Sequence, residues 1–90
     1  MKIKQTNQFK KVIKKLPRQA KLIVDSEIRK LCRAPLIGEQ KKGDLAYLRV
    51  HKFKITKKEY LLGYVYEEDI LTLTLLKLGP HENFYRDLKN

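Results

Sequence analysis

The spacing of apolar residues changes once along the chain. Between residues 7 and 33 they recur every three or four positions, which is typical of helices with one buried face. Between residues 47 and 78 they alternate with polar residues or form short runs, which is typical of β-strands. The pattern therefore predicts an α+β domain in which helices cover one face of a sheet.

Two amphipathic helices are predicted in the first region. The first begins at Asn7, a favourable N-cap, and ends before Pro17, and its apolar positions are Phe9, Val12, Ile13 and Leu16. The second runs from about Arg18 to Arg33 and is ended by Pro35, and its predicted core positions are Ala20, Ile23, Val24, Ile28, Leu31 and Cys32. These helices form an αα-hairpin whose apolar stripe must pack on another layer.

The second region predicts three consecutive strands. Residues 35–46, with two glycines and a Lys-Lys pair, are predicted to be a loop. The strand that follows alternates from Tyr47 to His51, but Phe53 and Ile55 are then out of phase, and a β-bulge or a bend near residues 51–52 would account for this. Two further strands are predicted at residues 60–66 and 70–78, and Gly79-Pro80 is expected to end the last one.

These elements define one domain of 90 residues. A short first strand at residues 3–6 and a short C-terminal helix after Pro80 complete the order. The predicted architecture is β-α-α-β-β-β with a terminal helix, in which the αα-hairpin packs on one face of a mostly antiparallel meander sheet. The other face of the sheet is expected to remain partly open.

The chain is strongly basic. It has 21 Lys and Arg residues against 10 Asp and Glu, which gives a net charge of +11 and a pI near 9.9. Residues 1–33 alone hold 11 basic and 2 acidic side chains. Such a charge attracts polyanions, and nucleic acid is favoured over membrane because no strongly amphipathic terminal anchor is evident. A basic surface that serves only solubility is the alternative.

The remaining composition excludes several classes of protein. Cys32 is the single cysteine, so an intramolecular disulfide and a cysteine-rich metal site are both excluded. No apolar stretch has the length of a membrane span or of a signal peptide. We therefore expect a protein of the reducing cytoplasm, without membrane contact, metal or cofactor.

Candidate chemistry is concentrated in the last dozen residues. If the segment after Pro80 is helical, His81 and Tyr85 lie one turn apart on the same face, next to Arg86. Metal-free phosphodiester cleavage needs a proton acceptor, a proton donor and a fixed positive charge, and these residues are of the required types. The alternative is structural, with His81 on the surface and Tyr85 as a packing ring.

The ordered motifs of the chain resemble the RelE/ParE superfamily of small bacterial toxins from type II toxin–antitoxin modules. The resemblance covers nearly the whole chain, and the ending is similar to the Gly-x-His-x-x-x-aromatic ending of the YafQ branch. The segments that carry it are Phe9 to Pro17, Pro35 to Glu39, Leu48-Arg49-Val50, Tyr60 to Tyr66 and Gly79 to Tyr85.

The resemblance implies a ribosome-dependent mRNA endonuclease that acts in the A site and is silenced by a small antitoxin. His81 would then be the general base or acid, and Tyr85 would stack on or orient a base. The superfamily also contains gyrase poisons and degenerate members, so the fold does not settle the activity. A non-catalytic gyrase inhibitor and a non-toxic nucleic-acid-binding protein therefore remain alternatives.

In the RNA-cleavage hypothesis, the 2′-hydroxyl attacks the adjacent phosphorus. His81 transfers protons, Arg86 and Arg49 stabilise the phosphate charge, and Tyr85 positions the substrate. The hypothesis adds RNA-binding candidates around the second and third strands, namely His51, Lys52, Lys54, Lys57 and Lys58.

His51 has an alternative interpretation as a surface residue. Two roles are also open for the lysines of the first helix, which could contact ribosomal RNA or form a solvated helix face: Lys10, Lys11, Lys14 and Lys15. The partner that silences such a basic toxin is expected to be acidic and partly disordered.

Overall fold

The computed structural model describes residues 1–86 and shows two helices on one face of a five-stranded sheet. The helices are α1 (Asn7–Lys15) and α2 (Arg18–Arg33), and the strands are β1 (Lys2–Gln5), β2 (Glu39–Gln40), β3 (Arg49–Ile55), β4 (Lys58–Glu67) and β5 (Thr72–Pro80). Their order across the sheet is β1-β5-β4-β3-β2. The first strand runs parallel to β5, and all other neighbours are antiparallel. The predicted α+β architecture, a helical hairpin packed on a meander sheet, is confirmed.

The N-terminus of α1 is fixed by Thr6 rather than by Asn7. The Thr6 hydroxyl accepts a hydrogen bond from the backbone N–H of Phe9 at 3.1 Å, and it donates to the carbonyl of Leu76 at 2.8 Å. Thr6 is therefore the N-cap, and Asn7 is the first helical residue. Because the same side chain bonds to β5, the cap also holds α1 against the sheet.

The main core lies between the helices and the sheet. Its fully buried members come from both layers and include Phe9, Val24, Leu31, Leu62, Leu73 and Leu75. Ala20 is buried as predicted, whereas Ile23, Ile28 and Cys32 are partly buried at the edge of this core. The predicted apolar faces of both helices are therefore the ones that pack on the sheet.

The predicted β-bulge in β3 is wrong. The pairing of β3 with β4 is continuous from Arg49 opposite Tyr64 to Ile55 opposite Lys58. The phase of the apolar residues changes because the sheet has apolar contacts on both faces: Val50 packs in one cluster, whereas Phe53 and Ile55 pack in the other. The register shift lies elsewhere, between β4 and β5 after Gly63.

The predicted end of the last strand and the helix after it also need correction. Strand β5 includes Gly79 and Pro80, which stand opposite Leu61 and Tyr60 of β4. Proline is tolerated there because the ladder to β4 needs no donor at that position: the next residue, His81, donates its backbone N–H to Glu59. Residues 81–86 form consecutive turns instead of a helix, and the rest of the predicted helix lies outside the described residues. The predicted loop at 35–46 also contains the two-residue strand β2.

A buried tyrosine joins the end of α2 to the sheet. The hydroxyl of Tyr64 donates to the carbonyl of Pro35 at 2.6 Å and accepts from the backbone N–H of Gly38 at 2.9 Å. Burial raises the pKa of Tyr64, which keeps the phenol neutral and able to donate. Gly38 permits this approach, since a β-carbon at that position would lie 2.5 Å from the Tyr64 hydroxyl.

We expect Tyr64→Phe to lower the free energy of unfolding by about 1–3 kcal/mol, because the carbonyl of Pro35 and the N–H of Gly38 would lose their buried partner. Urea unfolding monitored by circular dichroism measures this change. Tyr47→Phe is the matched control, since Tyr47 is exposed. Equal stability of wild type and Tyr64→Phe would contradict the prediction.

Candidate functional site

The sheet face opposite the helices, called the second face here, carries a smaller core of its own. Leu48, Val50, Leu61 and Phe84 are buried in it, and Leu45, Leu76 and Tyr85 pack against them in part. The turns at 81–86 bring Phe84 onto this face because Gly63 has no side chain to prevent it. A β-carbon on Gly63 would lie 2.8 Å from Cζ of Phe84.

Three polar residues form a row across one end of the second face. Lys54 stands opposite Glu59 in the β3–β4 pairing. On the other side of β4, the backbone N–H of His81 donates to the carbonyl of Glu59 at 3.0 Å, which extends the β4–β5 ladder by one residue. Nε2 of His81 lies 3.8 Å from Oε1 of Glu59, within ion-pair distance but too far for a hydrogen bond. The His81 side chain is 52% exposed, so a substrate can reach it.

Further lysines share this face. Lys52 is exposed and stands opposite Leu61, and Lys77 stands opposite Gly63 with its ammonium 5.6 Å from the ring centre of Phe84. On β1, Lys2 and Lys4 pair with Thr72 and Thr74, the β5 residues that alternate with the main-core leucines. The second face therefore carries exposed lysines on β3 and on β1, whereas Lys77 is buried within it.

Tyr85 lies beside Phe84 at the β2 side of the face. Its ring meets that of Phe84 edge-on at a centroid distance of 5.1 Å, and Nζ of Lys41 lies 5.3 Å from its ring centre. Lys41 also forms an ion pair with Glu39 at 2.6 Å. The hydrogen bond to Glu39, followed by that to Tyr85, raises the pKa of Lys41, so this ammonium remains charged at neutral pH.

The structure brings together several residues predicted from the sequence. His81, Tyr85, Lys52 and Lys54 all belong to the second face. The others lie at its margins: Lys57 and Lys58 are exposed at the β3–β4 turn, where Lys58 pairs with Glu82 at 3.3 Å, and Arg86 is exposed at the end of the turns. Lys57 and Arg86 add exposed positive charge there, whereas the charge of Lys58 is paired with Glu82.

Arg49 does not belong to this face, contrary to the prediction. It stands opposite Tyr64, whose side chain is in the main core, so Arg49 points to the helix side of the sheet. Its guanidinium donates to the carbonyls of Leu36 and Gly38 at 3.2 and 2.9 Å. Arg49 therefore holds the segment after α2 in place, and it lies away from His81.

His51 also lies on the helix side of the sheet, away from the second face. Its Nε2 donates to Oε1 of Glu27 on α2 at 2.6 Å, and both side chains are largely buried. Burial acts to raise the pKa of Glu27, but the hydrogen bonds from His51 and Lys30 outweigh it, so the pKa lies below its usual value. The role that the structure gives His51 is to join α2 to β3.

Two residues that contact His81 and Tyr85 were missed in the sequence. Glu59 precedes the strand predicted at residues 60–66, although it lies in β4 beside His81, and Lys41 falls in the loop predicted at residues 35–46. The roles of Glu59 and Lys41 depend on their contacts with His81 and Tyr85, which are far away in the chain. The alternation of β4 backwards from Leu61 would have placed Glu59 on the same face as that leucine, which is the one available signal.

The site offers acid–base and charge chemistry. In residues 1–86, no group of three or more His, Cys, Asp or Glu side chains is placed to hold a metal ion. The same residues include no helix that is both long and apolar enough to span a membrane. An exposed imidazole beside a carboxylate can transfer protons, while Lys52, Lys54 and Lys41 can bind phosphate.

Comparison with known proteins places this arrangement in context. A family model described as the ParE-like toxin of type II bacterial toxin–antitoxin systems matches residues 3–89. Among curated proteins, none matches the chain in sequence.

Solved toxin structures share the fold at low sequence identity. The isolated RelE toxin of E. coli is 15% identical with a TM-score of 0.71, and the alignment covers 98% of this chain and 92% of that one. The RelBE2 toxin–antitoxin complex of Mycobacterium tuberculosis contains a chain that is 21% identical with a TM-score of 0.74, covering 89% and 96%. The intact RelBE complex of E. coli contains one that is 15% identical with a TM-score of 0.70, covering 87% and 93%.

We expect Gly63→Ala to displace Phe84 from the second face, because the new methyl group would overlap the ring. Overpacking of this kind costs about 1–3 kcal/mol. Thermal unfolding and limited proteolysis of the segment after Pro80 measure the effect. Gly79→Ala is the control, since nothing lies within 4 Å of a β-carbon there. Similar protease resistance in the two variants would contradict the prediction.

Stability should depend on pH through Glu27. A carboxyl with a lowered folded-state pKa stabilises the fold above its unfolded pKa, and this contribution is lost as the pH falls through the folded value. Glu27→Gln should therefore cost about 1–2 kcal/mol at pH 6 and much less at pH 3. Urea unfolding at both values measures the difference. Asp25→Asn, which removes an exposed ion pair with Arg29, should have little effect at either pH.

Proposed function

We propose that this chain, which belongs to the ParE-like toxin family of type II bacterial toxin–antitoxin systems, is an endoribonuclease that cleaves messenger RNA on the ribosome at its second face. The observation that carries the proposal is the row of Lys54, Glu59 and His81 on a cationic surface. The exposed His81 imidazole is the proton-transfer group, and the basic groups around it match the charge of a ribose-phosphate backbone.

The reaction requires no metal. The 2′-oxygen attacks the adjacent phosphorus, its proton is removed, and the bond to the 5′-oxygen breaks with protonation of that oxygen. The products are a 2′,3′-cyclic phosphate and a free 5′-hydroxyl. His81 carries one of the two proton transfers, and the Glu59 carboxylate lies 3.8 Å from its Nε2.

The surrounding residues bind and position the substrate. Lys54 and Lys52 neutralise the charge that develops on the phosphate, since both extend from β3 on the same face as His81. Tyr85 offers part of its ring for stacking on a base, with Lys41 over one ring face. This assignment replaces Arg49, which binds backbone carbonyls on the helix side of the sheet.

A cognate antitoxin is the expected protein partner of a toxin from such a system. With a net charge of +11, the toxin favours an acidic antitoxin. We propose that the antitoxin covers the second face, because this would remove substrate access to His81 and neutralise the lysines around it.

Inhibition of DNA gyrase without catalysis is the second candidate. The ParE-like description of the matching family favours it. In that case the second face would be a binding surface, and the proton-transfer capacity of His81 would be irrelevant.

Induced expression of the wild type and of His81→Ala, followed by primer extension on a translated message, tests the proposal. We expect codon-spaced cuts in the wild type and a decrease of about a hundred- to ten-thousandfold in His81→Ala, the usual contribution of a general acid–base group. Asn83→Ala, which changes an exposed residue in the same turns, is the control and should cut normally.

Two outcomes would contradict RNA cleavage. Undiminished cutting by a folded His81→Ala variant would show that the imidazole does not transfer a proton in the reaction. Growth arrest with intact messages and a DNA-damage response, equal in wild type and His81→Ala, would support gyrase inhibition instead.

A further inference from the structure

A second cationic surface lies on the helix side of the molecule. Residues 1–24 contain eight Lys and Arg residues and no acidic residue. Two of the eight, Lys2 and Lys4, belong to the second face. The other six, called the α1 surface here, are all exposed on α1 and the first turns of α2: Lys10, Lys11, Lys14, Lys15, Arg18 and Lys21.

The lysines of α1 point away from the sheet. Phe9, Val12, Ile13 and Leu16 face the main core. At 3.6 residues per turn, Lys10, Lys11, Lys14 and Lys15 are centred on the opposite side of the helix. Since α1 packs on the face of the sheet opposite His81, the α1 surface and the second face lie on opposite sides of the molecule.

No ion pair among residues 1–86 involves any of the six residues. The Lys10–Lys14 and Lys11–Lys15 pairs are four residues apart, a spacing at which like charges destabilise a helix. The second half of α2 differs, since Asp25 pairs with Arg29 at 2.9 Å and Glu27 with Lys30 at 3.3 Å. A bound polyanion would relieve this repulsion.

The chemistry of the α1 surface favours a duplex backbone. Single strands are bound by aromatic rings that stack on bases, and among the exposed residues of α1 and the start of α2 there is no aromatic side chain. Lysines act as point charges that contact phosphates without reading sequence. Membrane binding is disfavoured because Leu22 is the only large apolar residue exposed on this stretch.

We infer that the α1 surface binds the phosphate backbone of double-helical RNA while the second face holds the single strand that is cleaved. The inference rests on the proposed function, since it gives structured RNA of the ribosome a contact separate from the cleavage site. It assigns each cationic surface to a different form of RNA.

The test measures binding in a His81→Ala background, so that its outcome does not depend on cleavage. The probe is a 20-base-pair RNA duplex, titrated at several salt concentrations. The quadruple variant Lys10→Gln, Lys11→Gln, Lys14→Gln and Lys15→Gln should bind at least tenfold more weakly near 0.1 M salt. Its log–log salt slope should be smaller by roughly three to four, because each lost phosphate contact removes about one unit.

A matched variant distinguishes an effect of the α1 lysines on binding from an effect of the protein's net charge. The control variant also loses four positive charges, but from exposed positions outside the α1 surface: Arg29→Gln, Lys30→Gln, Arg33→Gln and Lys42→Gln. It should bind the duplex nearly as tightly as the parent does. The four α1 lysines changed to arginine should also retain binding, which guards against a folding effect.

Three results would overturn the inference. One is equal loss of binding in both neutralised variants, which would leave only net charge as the cause. Another is unchanged binding in the α1 variant. The third is tighter binding by the parent to a DNA duplex of the same sequence, or to vesicles of equal phosphatidylcholine and phosphatidylglycerol, than to the RNA duplex.

Discussion

The antiparallel register of β3, β4 and β5 decides which side chains of this protein can act together. Side chains opposite one another in such a ladder lie on the same face of the sheet. The pairing of Lys54 with Glu59, continued by His81, builds the polar row on the second face. The same register places Arg49 and His51 on the other face. There Arg49 binds the segment after α2, and His51 binds α2 itself. A one-residue slip would exchange these two sets.

Both faces of the sheet bury apolar residues, and this creates the site. The main core under the helices supplies most of the packing, whereas the second core is small and depends on Phe84 lying over Gly63. Because Phe84 anchors the turns after Pro80, His81 and Tyr85 are held at the two ends of one anchored segment. The packing of a single ring therefore links the stability of the second core to the positions of the candidate functional groups.

The positive charge is divided between two sides of the molecule. On the second face the lysines surround a histidine, a carboxylate and a tyrosine, so charge is combined with groups that can transfer protons or stack. On α1 the lysines stand alone on a regular helix surface. Under the proposed function, the second face would serve the chemistry and the α1 surface would serve docking.

The sequence by itself determined the helices, the number of long strands and the side of each helix that is buried, because these follow from local periodicity. It also identified His81, Tyr85, Lys52 and Lys54 as candidates. Tertiary structure alone decided that Glu59 lies beside His81 and that Lys41 lies over Tyr85, because both contacts join residues far apart in the chain. It also decided against Arg49 and His51: alternation shows that two residues share a face, but only packing determines which face meets the helices.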